Sequence, residues 1–158
     1  MHRSKYGLLW MVLTAVTCGM MTACIGNTMY HQYAHTPLEG WERNDTLKFQ
    51  VPRAQVEGQY EEEIGLRING EYPFLGLRLI VNQTVYPKHQ TYIDTLDCEL
   101  INKNGNATGK GVTMYQYQFH LTTLRLEKGD SLSVSVRHDM KREILPGIAD
   151  VGVKLSKQ

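Results

Sequence analysis

The chain has 158 residues, 17 Lys and Arg against 16 Asp and Glu, and a formal charge of +1 with neutral histidines. Acids and bases are interspersed, so no basic stripe points to nucleic acid and no acidic tail points to disorder. The length suits one domain with a single substantial core.

His2, Arg3 and Lys5 form a short basic head, an apolar run over 6–21 follows, and small residues lead up to Cys24. That order predicts a secretory signal peptide over residues 1–23. The apolar run is short of the roughly 20 residues that a bilayer span needs. No second run of that length follows, so no transmembrane span is expected in the mature chain.

Thr22-Ala23-Cys24 resembles the lipobox of bacterial lipoproteins. The resemblance implies lipid attachment at Cys24: its thiol takes a diacylglyceryl group, and the amine freed by cleavage takes a further acyl chain such as palmitate. Each buried CH₂ contributes roughly 0.8 kcal/mol, and more than one acyl chain makes anchoring durable. Cys18 fits less well, because Thr17 is bulkier and the apolar run continues past it. With Cys24 acylated, Cys98 has no disulfide partner. Leu96, Cys98 and Leu100 alternate with Asp97 and Glu99, which predicts a buried structural thiol.

Residues 24–37 are polar and unpatterned and end at Pro37, so they read as a lipidated N-terminus and a short tether. Residues 38–158 then read as an all-β domain. Strands are predicted over 46–51, 60–69, 74–81, 92–102, 113–124, 131–138 and 150–156, from period-two alternation. Inward stripes are Ile64, Leu66, Ile68; Leu75, Leu77, Leu79, Val81; Tyr115, Tyr117, Phe119, Leu121; and Leu132, Val134, Val136. Asn102–Asn106 and Glu127–Asp130 carry turn chemistry, since Asn and Gly accept positive φ. Pro87 and Pro146 fall between strands, where a missing N–H costs little. Met140–Leu145 has room for one short helical turn. About seven strands at this spacing suggest an antiparallel β-sandwich.

Trp41, Asn44-Asp45, Leu47 and Phe49 open the domain; Leu66-Arg67 and Tyr72-Pro73-Phe74 follow; His138-Asp139-Met140-Lys141 and Leu145-Pro146-Gly147-Ile148-Ala149-Asp150-Val151-Gly152-Val153 close it. With the lipobox, these blocks resemble the gliding motility-associated lipoprotein GldH family of the Bacteroidetes. Phe74-Leu75-Gly76 and the turn Gly105–Gly111 depart from the family's usual pattern. The resemblance implies a non-enzymatic, lipid-anchored accessory protein of the cell envelope that acts through protein partners and carries no established catalytic residues. No acidic residue follows Cys24 closely, as surface-exposed lipoproteins of this phylum tend to have, so a periplasm-facing domain is expected.

Few residue constellations carry the pattern of a chemical site. His31 and His35 have metal-ligand spacing for a helix, but their segment has no helical pattern, and no metal or cofactor is expected. Neighbours on a strand face opposite ways, so His138-Asp139 makes a poor general-base pair and reads as a solvated loop. Asp94, Asp97 and Glu99 are ordinary strand carboxylates by pattern. No serine lies in a nucleophile elbow, and Gly109-Lys110-Gly111 is no phosphate loop. His89, His120 and His138 are the bases a dispersed hydrolase site would draw on. Trp41 either plugs the end of the sandwich or meets a partner, and a carbohydrate- or peptidoglycan-binding module on the same anchor is the alternative function. Asp45-Thr46-Leu47, Asp94-Thr95-Leu96 and Asp130-Ser131-Leu132 each resemble the O-glycosylation triplet of exported Bacteroidetes proteins, making Thr46, Thr95 and Ser131 candidate acceptors; a turn Asp at a strand start is the simpler explanation of the triplets.

Overall fold

The computed structural model describes residues 26–158. The expected signal peptide and Cys24 lie outside those residues. From Gly26 onward the chain forms strands β1 (Thr28–His35), β2 (Trp41–Glu42), β3 (Leu47–Val51), β4 (Gly58–Asn69), β5 (Gly76–Tyr86), β6 (Gln90–Glu99), β7 (Met114–Leu126), β8 (Ser131–His138), β9 (Ile144–Leu145) and β10 (Ile148–Lys157). No helix occurs among the described residues, so the turn expected over Met140–Leu145 is replaced by a bend and β9.

Two four-stranded antiparallel sheets make a sandwich. The first runs β1-β10-β4-β7 and the second β3-β8-β5-β6, with β2 and β9 as a small two-stranded ladder beside them. At one side β1 neighbours β3, and at the other β7 neighbours β6. The core is drawn from one face of each strand: Ile64, Leu66 and Ile68 from β4, Leu77, Leu79 and Val81 from β5, Leu132, Val134 and Val136 from β8, and Val151, Val153 and Leu155 from β10. Each such side chain contributes about 1.5–3 kcal/mol on burial.

All seven expected strands are present; 131–138 matches β8 at both ends and the others have shifted ends. β5 runs on to Tyr86 because Asn82-Gln83-Thr84 stays paired on both sides, to β6 and to β8. β7 changes phase where the register slips between Glu62 and Glu63, which leaves Leu121 without an opposite number. Before the bulge Tyr117 faces the core; after it Leu124 and Leu126 do. The tyrosine–phenylalanine row is thus core at Tyr117 and only half-buried at Tyr115, Phe119 and Leu121.

Two expectations need correction. Residues 28–35, read as tether, form β1 and pair with β10 from Thr28 opposite Ser156 to His35 opposite Asp150. The β domain therefore begins at Thr28, not at residue 38, and any tether is confined to the residues before it. The alternation was too sparse to read, because β1 is an edge strand that buries only Tyr30. Leu75, placed in an inward stripe, precedes β5 and is 71% exposed.

Candidate functional site

A groove of about 940 Å³ opens at the end of the sandwich where Phe74, Leu75, Ile101 and Met140 meet Arg78 and Arg142. The loop that carries Leu75 is fastened by its backbone. Leu100 and Ile101 each donate an N–H to the Leu75 carbonyl at 3.0 Å. The Tyr72 hydroxyl donates to the Gly76 carbonyl at 2.9 Å, and the Tyr72 and Phe74 rings meet edge-on at 5.6 Å. Leu75 is thus an exposed apolar side chain on an anchored backbone. Below it, Arg78 forms a two-pronged pair with Asp97, at 2.6 and 3.1 Å, which raises the guanidinium pKa and lowers that of the carboxyl. The Arg78 backbone N–H points at the Met140 sulfur at 3.4 Å.

Behind the groove the Trp41 and His138 side chains are fully buried. The Trp41 indole N–H donates to the Asp45 carbonyl at 3.0 Å, so the ring is a plug at the end of the sandwich, one of the two roles left open by the sequence. It offers no stacking face to a sugar. His138 was expected in a solvated loop; instead it ends β8 facing inward, and burial lowers its pKa. Asp139 points outward, as strand geometry demands, so the two make no catalytic pair.

The other candidates do not converge. His31 lies beside Tyr33, with ring centroids 5.4 Å apart, while His35 contacts Asp150, a carboxylate also 3.5 Å from Arg67. His120 sits 3.0 Å from Glu61 on the outer face of β7, and His89 packs edge-on to Tyr86 in the β5–β6 turn. Among the described residues no three His, Cys, Asp or Glu side chains are grouped to hold a metal. Cys98 is buried, as its alternation predicted, and desolvation pushes its thiol up to about 12.

Thr95 is exposed on the outer face of β6, while Thr46 and Ser131 are half-buried. Asp94 departs from the turn explanation of its triplet: it lies within β6 and faces inward, where Gln83 donates to it at 3.1 Å. Sequence reading missed its neighbour Glu62, which is fully buried on β4. The signal was present, since Glu62 shares parity with Tyr60, Ile64, Leu66 and Ile68.

A family model described as GldH lipoprotein matches residues 28–155, from the first residue of β1 into β10. The chain is 25% identical over 154 residues to the gliding motility lipoprotein GldH of Flavobacterium johnsoniae, covering 88% of this chain and 91% of that protein. It is 21% identical over 164 residues to a gliding motility lipoprotein GldH homolog of Christiangramia forsetii, covering 98% of each. Among solved structures, a GH115 4-O-methyl-α-glucuronidase aligns over 80% of this chain and 16% of its own, at TM-score 0.44 and 13% identity. A family 35 carbohydrate-binding module from Clostridium thermocellum aligns over 78% of this chain and 89% of its own, at TM-score 0.38 and 12% identity. Likenesses this distant bear on neither substrate nor ligand. The family match, by contrast, spans the whole sandwich, including the strand that sequence reading had taken for tether, and the chain belongs to the GldH lipoprotein family.

Proposed function

We propose that this protein is a non-enzymatic, lipid-anchored component of the cell envelope that serves gliding motility or related envelope machinery. Acyl chains on Cys24 hold it to a membrane, the sandwich faces the periplasm, and a protein partner docks an apolar segment into the groove around Leu75. The observation that carries the reading is the family match over residues 28–155, whose relatives are named gliding motility lipoproteins. The scattered placement of His31, His89, His120 and Asp139 supports a positional rather than a chemical role. With β1 starting at Thr28, few residues separate Cys24 from the domain, so the sandwich sits close to the membrane surface. Thr95 is the best-exposed of the three candidate acceptors for O-glycosylation.

Complementation of a gene deletion tests this reading. The wild-type gene restores gliding or envelope assembly; Cys24→Ala yields unacylated protein by intact mass and does not restore it. Leu75→Asp, on a surface side chain, keeps the fold and membrane association but loses the phenotype. A deletion without effect on gliding or envelope assembly overturns the functional reading. Full rescue by Leu75→Asp removes the groove from it. Labelling of intact cells by a domain-specific antibody overturns the periplasmic orientation.

A further inference from the structure

The interior holds a polar cluster whose hydrogen-bonding capacity is not filled. Glu62, on β4 of the first sheet, is fully buried, and neither carboxylate oxygen has a protein hydrogen-bond partner. Gln83, on β5 of the second sheet, is also fully buried; its amide nitrogen donates to Asp94 at 3.1 Å, while its Oε1 is likewise unpartnered. Asp94, on β6, is half-buried and close enough for its charge to act on Glu62. The cluster bridges the two sheets beside the β6–β7 edge, where the sheets adjoin without a shared hydrogen-bond ladder. The side chains on that edge, Leu96, Phe119 and Leu121, are only half-buried, so that flank of the core is partly open to solvent.

An ionised carboxylate buried without a partner costs several kcal/mol, and an unpaired amide oxygen adds to that. Protonation of Glu62 removes the charge but still leaves buried oxygens unmatched. The donors left over are all oxygens, two of them on a carboxylate able to bind in bidentate fashion, with no imidazole or thiolate nearby. That set suits a hard cation, and mixed carboxylate, amide and water ligation at flexible geometry suits calcium better than magnesium.

We propose that Glu62, Gln83 and Asp94 form a calcium site that staples the two sheets together at the β6–β7 edge. Glu62 and Asp94 supply the charge, Gln83 supplies its amide oxygen, and water completes the shell from the open flank. Burial and the Asp94 charge push the Glu62 carboxyl up to about 8, so binding displaces a proton at neutral pH and tightens as pH rises. The titratable group acting on Glu62 is Asp94 from β6, while Leu155 of β10 and Thr122 of β7 flank it in the register and do not titrate.

The test is calorimetric titration of calcium chloride into the mature, detergent-solubilised lipoprotein after treatment with a chelator, with thermal melts alongside. The expected result is one calcium per chain with a dissociation constant on the order of 10⁻⁵ to 10⁻³ M and a higher melting temperature. Glu62→Gln and Asp94→Asn each weaken binding at least tenfold and abolish the melting shift. Glu99→Gln, on the outer face of β6, changes neither. Glu62→Gln folds at least as well as wild type in chelator, because it removes a buried charge, so its loss of binding is not unfolding. Absence of binding and of any melting shift at 10 mM calcium overturns the proposal, as does unchanged affinity in both Glu62→Gln and Asp94→Asn, which places the ion elsewhere.

Discussion

The His138 Nε2 lies 3.1 Å from the Trp41 carbonyl oxygen, and the two rings meet edge-on with centroids 5.2 Å apart. The Met140 N–H lies 3.4 Å from the other ring nitrogen, Nδ1. These partners select the neutral tautomer with its proton on Nε2, donating to Trp41 and accepting from Met140. The contact ties β2 to the end of β8, behind the groove proposed to receive a partner. Replacing His138 with Phe leaves a buried carbonyl and a buried N–H unmatched. A loss of roughly 2–4 kcal/mol is expected, read from urea unfolding with an unchanged slope.

Burial also holds the His138 pKa below its ordinary value of 6.5. As pH falls below 6.5 the unfolded chain takes up a proton that the folded chain refuses, so stability falls with pH in that range. Unfolding profiles between pH 5 and 7 check this. The His138 contribution to the acid-side slope disappears in His138→Phe, whatever the overall stability of that variant.

Glu62 tilts stability the other way. Its carboxyl is raised from 4.5 to about 8 in the folded protein, first by burial and then by Asp94. Between those values the folded chain keeps a proton that the unfolded chain has lost, so stability declines as pH rises from about 4.5 to 8 and levels off above. At about 1.4 kcal/mol per pKa unit the full effect is a few kcal/mol. Glu62→Gln, measured in chelator, loses this decline and is more stable than wild type at pH 8.

Tyr33 lies flat across the backbone of β10 and β4. A Cβ built on Gly152 meets its ring carbons at 2.7 Å, and one on Gly65 meets its hydroxyl at 2.5 Å. The Arg67 guanidinium covers the ring at 4.1 Å from its centroid. The paired glycines, opposite one another in the register, thus make a floor for an aromatic side chain on the outer face. Gly152→Ala is expected to cost about 1 kcal/mol by lifting the ring and loosening its cation–π contact. In a Tyr33→Ala background the same substitution has a much smaller effect, which a double-mutant cycle measures.

Cys98 is expected to be inert. Its thiol is buried and raised to about 12, so almost no thiolate exists near neutral pH. A thiol reagent added to the native protein leaves Cys98 unmodified over hours, and the same reagent labels it stoichiometrically in denaturant. Rapid labelling of native protein would show that the wall of the groove beside Cys98 opens in solution.

Local pattern along the chain carries much of this fold. The expected leader and Cys24 rest on contiguous motifs and lie outside the described residues. Seven strands announce themselves by alternation, because a half-buried strand must put every second residue into the core. The buried Cys98 followed from the same rule. The outcome differed where burial depends on a strand elsewhere in the chain. Thr28–His35 has too few buried residues to show a period, yet it is a strand because β10 offers it an edge. Leu75 has the right parity for the core, but the loop that holds it ends before β5 begins, leaving the side chain outside.

His138 and Glu62 mark the limit most clearly. Each is a polar residue at an inward position, and nothing local says what stands across from it. For His138 the fold supplies the Trp41 carbonyl and the Met140 N–H, and the residue becomes part of the structure. For Glu62 it supplies the Asp94 carboxylate from the opposite sheet and no hydrogen-bond partner. Alternation along one strand determines which way a side chain points, because it is a property of that backbone. What the side chain meets there is set by the packing of two sheets whose strands are far apart in the chain, and only the tertiary structure decides it.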